Sequence, residues 1–219
     1  MASSEQKKNI NRATLVLVAT IFIAMWVLIN SQQFLISAII YVALPLVSIV
    51  LYRQWKFFGR KGKLEGIEGD WIKDSLIGVA AAIGFIVVGF FIPGIAAIGL
   101  PNVQSIAGTI GRFAVLIILS PISEELFFRE IFHDFFDEKF VNMPFFIAAV
   151  ITSLAFAGFH FLAYGSSLAA AGGSFLTAGV AGLGFSYLSK YTNSHAANIA
   201  AHMTLNLYLA YIVLSVVVA

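Results

Sequence analysis

Cysteine is absent from this 219-residue chain, and with it go disulfides, thiol nucleophiles and cysteine-ligated zinc. Charge is scarce as well: 11% of the residues are Asp, Glu, Lys or Arg, where a soluble domain carries about a quarter. No His-Glu-x-x-His run occurs, which excludes the zinc site built on two histidines one helical turn apart. The aspartates are Asp70, Asp74, Asp134 and Asp137. All fall outside the long apolar segments, so two aspartates facing each other from apolar helices are excluded too. Neither an internal repeat nor a low-complexity tail is visible.

What is present is apolar. Hydrophobic residues make up 60% of the chain, with 21 Phe and 18 Gly. This is the composition of an integral membrane protein, in which glycine lets helices approach closely. A helix needs roughly 20 apolar residues to cross the hydrocarbon core. Seven segments qualify, about 13–31, 34–52, 75–99, 112–132, 144–163, 170–189 and 194–218. Interruptions such as Gly165-Ser166-Ser167 and Ala169 to Gly173 leave counts of six or eight open. The expected fold is all-α and polytopic, one membrane-embedded domain over 1–219 with amino-terminal helices over 1–111 and a core over 112–211. The run from Ala13 to Ile29 lacks a small-residue cleavage site and reads as a retained span rather than a signal peptide.

The connector from Arg53 to Asp74 is polar, with Trp55, Phe57, Phe58 and Trp71 set among basic residues, a pattern suited to lying on a membrane surface. Its basic tract would suit nucleic acid in a soluble protein. Beside membrane spans the expected partner is the lipid bilayer, and no nucleic acid. If seven helices alternate, Lys7, Lys8, Arg12, the basic residues of the connector, Lys139 and Lys190 share one side, with Arg112 on the other. The positive-inside rule then places the amino terminus in the cytoplasm and the carboxyl terminus outside.

Among the acidic residues, Glu124 and Glu125 alone lie well inside an apolar segment. An ionisable group at the bilayer centre costs at least about 2.5 kcal/mol, so such residues face cavities and partners. A bland reading is a buried ion pair that locks helices together. Glu125 and Arg129 are one turn apart on one face, acid first, and make that pair. Glu124 points about 100° away and is left as the available carboxylate. Pro121, just before, removes a backbone donor and opens a bend. His133 is expected at a polar helix end. His160 stands in an apolar run one turn after Phe156, and His195, Asn198, His202 and Asn206 draw one polar stripe down the last helix. Glu124 with His160 can hold and deprotonate a water, and His202 with Asn206 can stabilise the oxyanion formed on an amide. The same Glu124, His160 and His202 also make a two-histidine, one-carboxylate set for a divalent ion, zinc above all. The sequence leaves the cofactor, none or one such ion, open.

Three patterns occur in order: Glu-Glu-x-x-x-Arg in EELFFR, Phe-x-x-x-His in FAGFH and His-x-x-x-Asn in HMTLN. Together they resemble the intramembrane CAAX prenyl endopeptidases of the Ras-converting type and their prokaryotic relatives, the CAAX protease and bacteriocin-processing family. The resemblance spans about Arg112 to Tyr211. It implies Glu124 as the water-activating base with His160, Glu125 and Arg129 as support, and His202 with Asn206 as oxyanion donors. It also implies a site within the membrane, open to the cytosol, for membrane-associated peptides or proteins with or without a prenyl group. Three rivals stand beside it. Gly184-Phe185-Ser186-Tyr187 suggests a serine protease with His195 or His202 as base, a polar cluster also suits a non-catalytic scaffold or binding protein, and Glu124, His160 and His202 would suit a proton-coupled transporter.

Overall fold

Asp70 starts the first helix by capping it. Its Oδ1 accepts the Lys73 N–H at 3.2 Å, and its carbonyl accepts the Asp74 N–H at 2.8 Å, the orphan donors of a first turn. Helix α1 then runs Trp71–Phe91. The polar connector was expected to continue to Asp74, but its last four residues are helical and Asp74 is buried. The computed structural model describes residues 70–91, 115–133, 136, 143–163 and 168–218. The expected segments 13–31 and 34–52 and most of the connector lie outside the described residues.

The fourth expected segment is not a uniform helix. A π-helical stretch, π1 (Val115–Leu119), passes into helix α2 (Ser120–Glu125) and then into a second π-helical stretch, π2 (Leu126–His133). Such widened turns gather at functional sites. Helix α3 (Phe145–Ala163) begins after Pro144, whose carbonyl accepts from Ile147 at 2.9 Å and Ala148 at 3.2 Å. Helix α4 (Leu168–Thr192) continues unbroken through Gly172 and Gly173, where an interruption was expected. Asn193 then adopts a left-handed backbone, φ 51°, which asparagine tolerates. Ser194 caps α5 (His195–Val218), its Oγ accepting the Ala196 N–H at 3.2 Å. All the regular elements among the described residues are helical.

Small residues set the crossings. A Cβ on Gly78 would stand 2.0 Å from the Ala197 carbonyl oxygen, so α1 and α5 touch backbone to backbone there. A Cβ on Gly182 would meet Ser153 Cβ at 3.2 Å and Phe156 Cδ1 at 3.3 Å, which draws α4 onto α3. Ala82, Ala181, Phe185 and Ala201 close the space between α1, α4 and α5.

The distribution of polarity is inverted relative to a soluble protein. Ser120, Ser123, Glu124, Glu125, Arg129, Thr152, Asn198 and His202 are buried, whereas Trp71, Ile72, Val88, Phe146, Leu154, Leu176 and Leu207 are exposed. Large apolar side chains facing outward from helices suit lipid. Among the described residues, Trp71–Gly89 is the one helical stretch long and apolar enough to cross a membrane on length and composition.

Candidate active site

The two adjacent glutamates diverge as helical geometry requires, and each finds different partners. Glu125 is fully buried. Its Oε2 lies 3.4 Å from Arg129 Nε one turn later, and its Oε1 lies 3.0 Å from His202 Nδ1. Arg129 is buried as well, its guanidinium carbon 5.0 Å from the Phe156 ring centre and 5.6 Å from that of Phe185. The desolvated guanidinium is thus held by one carboxylate and two ring faces, while none of its nitrogens has a hydrogen-bond partner among the described residues.

Glu124 turns the other way. Ser120 Oγ donates to its Oε1. Its Oε2 lies 3.8 Å from His160 Nε2 and 3.9 Å from His202 Nε2. The histidine tautomers follow from what Nδ1 meets. His160 Nδ1 is 3.0 Å from the Phe156 carbonyl oxygen, and His202 Nδ1 faces the Glu125 carboxylate. Both partners are acceptors, so Nδ1 carries the hydrogen in each ring and Nε2 is turned toward Glu124. Aromatic rings hold both imidazoles. Phe185 stacks on His202 with centroids 5.2 Å apart, and Phe156 lies 4.4 Å from His160 and 5.8 Å from His202.

Asn206 is near the cluster but bonded elsewhere, its Nδ2 donating to the Leu116 carbonyl at 2.9 Å. The acceptor is open for a local reason. Continuing the five-residue register of π1 would pair Leu116 with the amide of residue 121, and Pro121 has no N–H. Asn198 is fully buried, and neither of its amide atoms has a hydrogen-bond partner among the described residues. His195 is half-buried at the start of α5. His133, expected at a polar end, is instead buried with its ring 5.2 Å from Phe145. Ser186, the serine of the rival Gly-x-Ser reading, is buried and donates to the Gly182 carbonyl at 3.1 Å.

Residues 106–208 match the family model Rce1-like, type II CAAX prenyl endopeptidase Rce1-like. The region that builds this site is therefore Rce1-like. That family is one of membrane-embedded proteases, and the match contains all three motifs and every side chain of the cluster. Comparison with curated proteins and with solved structures gives no match.

Sequence reasoning missed Ser120, the Leu116 carbonyl and Phe185 in this Rce1-like region. Ser120 had a signal, since it stands one turn before Glu124. Phe185 had none, because it arrives from a separate helix. Zinc would need three donors about 2.0–2.2 Å from one ion, hence about 3.4 Å from one another. Glu124 Oε2 is farther than that from both imidazole nitrogens. Among the described residues no three such side chains gather closely enough to hold a metal. The residues as placed do not fit the ion, and no step below passes through one.

Proposed function

We propose that the protein is an intramembrane endopeptidase that cleaves membrane-associated proteins, prenylated CAAX-type tails among them, with Glu124 as the base that activates water. The observation that carries this reading is the placement of Glu124. One carboxylate oxygen is clamped by Ser120, and the other faces His160 Nε2 across 3.8 Å. Two acceptors at that separation are too far apart to bond each other and lack a hydrogen between them. Glu124 Oε2 has no hydrogen-bond partner among the described residues, and a water bonded to it at about 2.8 Å also comes within reach of His160 Nε2.

Chemistry follows from that water. Glu124 takes one of its protons while His160 accepts the other hydrogen bond, and the oxygen attacks the carbonyl carbon of the scissile peptide. The oxyanion that develops is met by His202, in the form protonated at Nε2 and backed by the Glu125 carboxylate, and by the second N–H of Asn206. Glu124 then passes its proton to the peptide nitrogen, the C–N bond breaks, and a new carboxyl terminus and a new amine leave. Arg129 keeps Glu125 ionised and in place, so it supports His202 without touching substrate.

The charge pattern supports a multi-pass topology with a cytoplasmic amino terminus, the side from which cytosolic tails would enter. The test is a comparison of new peptide termini in host membranes carrying the wild type or Glu124→Gln at equal abundance. Termini found with the wild type and missing from the variant are expected and would name substrates. Identical profiles from two folded proteins would refute the peptidase reading in favour of a scaffold.

A further inference from the structure

Several hydroxyl side chains among the described residues share one habit, while the hydroxyls of Thr152, Ser174 and Thr177 are buried without a hydrogen-bond partner there. Ser123, Ser153, Ser186, Thr192 and Thr204 each donate to the carbonyl one turn earlier, at 2.9, 2.6, 3.1, 2.8 and 2.8 Å. In an apolar surround this back-bond is the nearest one open to a helical hydroxyl, because the hydroxyl has no water to bond. Ser120 departs from it and donates forward to Glu124. The carbonyl that Ser120 would take is Leu116, four residues before it, and that oxygen accepts the Asn206 Nδ2–H.

Resting on the assignment of Glu124 as base, we infer that Asn206 and Ser120 form a positioning relay, in which Asn206 holds the Leu116 carbonyl and thereby keeps the Ser120 hydroxyl on Glu124. Ser120 in turn fixes which oxygen of Glu124 faces the histidines. Without Asn206 the Leu116 carbonyl loses its partner, and Ser120 rotates back to fill it. Glu124 then loses its clamp and turns among several rotamers. Asn206 thus acts on the base end of the reaction from α5, beyond any hydrogen bond it makes to the oxyanion.

The test is a double-mutant cycle on the full-length protein in lipid vesicles, read as cleavage of an internally quenched, prenylated CAAX peptide. Ser120→Ala should lower kcat about 30-fold with KM within about twofold, and Ser120→Thr, which keeps the hydroxyl, should restore most of it. Asn206→Ala should lower kcat about 100-fold in the wild type but less than about 10-fold in the Ser120→Ala background, because the relay is already broken. Losses that multiply in full would overturn the relay and leave Asn206 as an oxyanion donor alone. If Ser120→Ala fails to fold, Ser120→Cys, with its weak S–H donor, takes its place in the cycle. Glu124→Gln is run in parallel. Full activity there would overturn the base assignment itself, a wild type that leaves the peptide intact would overturn the reading of prenylated CAAX tails as substrates, and an inactive Glu124→Gln with multiplying losses refutes the relay alone.

Discussion

His202 donates from Nδ1 to Glu125 Oε1 over 3.0 Å, joining α5 to α2 across 77 residues of sequence. That bond fixes the imidazole plane, sets the tautomer and turns Nε2 toward Glu124. Replacing Glu125 by Gln keeps the shape and removes the charge that backs a protonated His202. Glu125→Gln should lower kcat by about 10- to 100-fold, less than the loss of an oxyanion donor itself because Glu125 acts through His202, with little change in KM. Steady-state kinetics on the purified variant checks it. An unchanged kcat would mean that the pair only orients the ring.

Arg129 answers to stability before activity. Arg129→Met leaves Glu125 as a buried carboxylate without its cation, a change that costs about 3–5 kcal/mol when a buried pair is broken from one side. Unfolding in detergent should show that loss, and Glu125→Gln combined with Arg129→Met should recover part of it. Equal stability of the single variant and the wild type would count against the pair as a support.

Gly78 tests how closely α1 must approach the site helix. Its Cα faces the Ala197 carbonyl, five residues before His202, with no room for a Cβ. Gly78→Ala should push the helices apart and cost about 1–3 kcal/mol, as overpacking does, and should misplace His202 with a parallel loss of activity. Gly84→Ala, where a Cβ would meet nothing within 4 Å, is the matched control and should be silent in both assays.

Phe185 holds two members of the site at once, stacked on His202 and beneath Arg129. Phe185→Leu preserves most of the buried area and removes the ring face. A loss of about 1–2 kcal/mol in stability is expected from the missing cation–π and stacking contacts, with kcat falling further than Phe159→Leu, whose ring meets His160 edge-on at 5.8 Å.

Metal content is a separate question with a direct answer. The wide spacing around Glu124 Oε2 predicts that dialysis against a chelator leaves peptidase activity within about twofold, since a bound ion would have to draw three donors inward first. Loss of activity that added zinc restores would assign the ion to Glu124, His160 and His202 and replace the water-only step.

Much of the site was legible along the chain because its first logic is helical. Residues four apart share a face, so the pairing of Glu125 with Arg129 and the divergence of Glu124 follow from spacing alone. The stripe from His195 to Asn206 follows in the same way. Apolar surroundings mark those polar groups as costly and therefore partnered. The π-helical turns around α2 were not legible, since Val115–Leu119 reads as apolar helix in either register and the one local cue, Pro121, suggests a bend without saying how it resolves. Asn206 was legible only in part, for a related reason. Its motif position points toward the histidines, yet one of its N–H groups goes to a main-chain oxygen that composition cannot single out.

By itself, then, the order of residues determined that the described core would be helical, apolar outside and charged within, and which titratable groups would share each helical face. Only the tertiary structure decided which acceptor each imidazole Nδ1 would meet, and that Asn206 would reach Leu116 from 90 positions away. It also decided that a phenylalanine from α4 would close over both Arg129 and His202. The physical reason is that periodicity sets direction around one helix axis. Distance and rotation between two axes are set by close contacts such as Gly78 on Ala197 and Gly182 on Ser153, where the absence of a side chain lets the backbones meet.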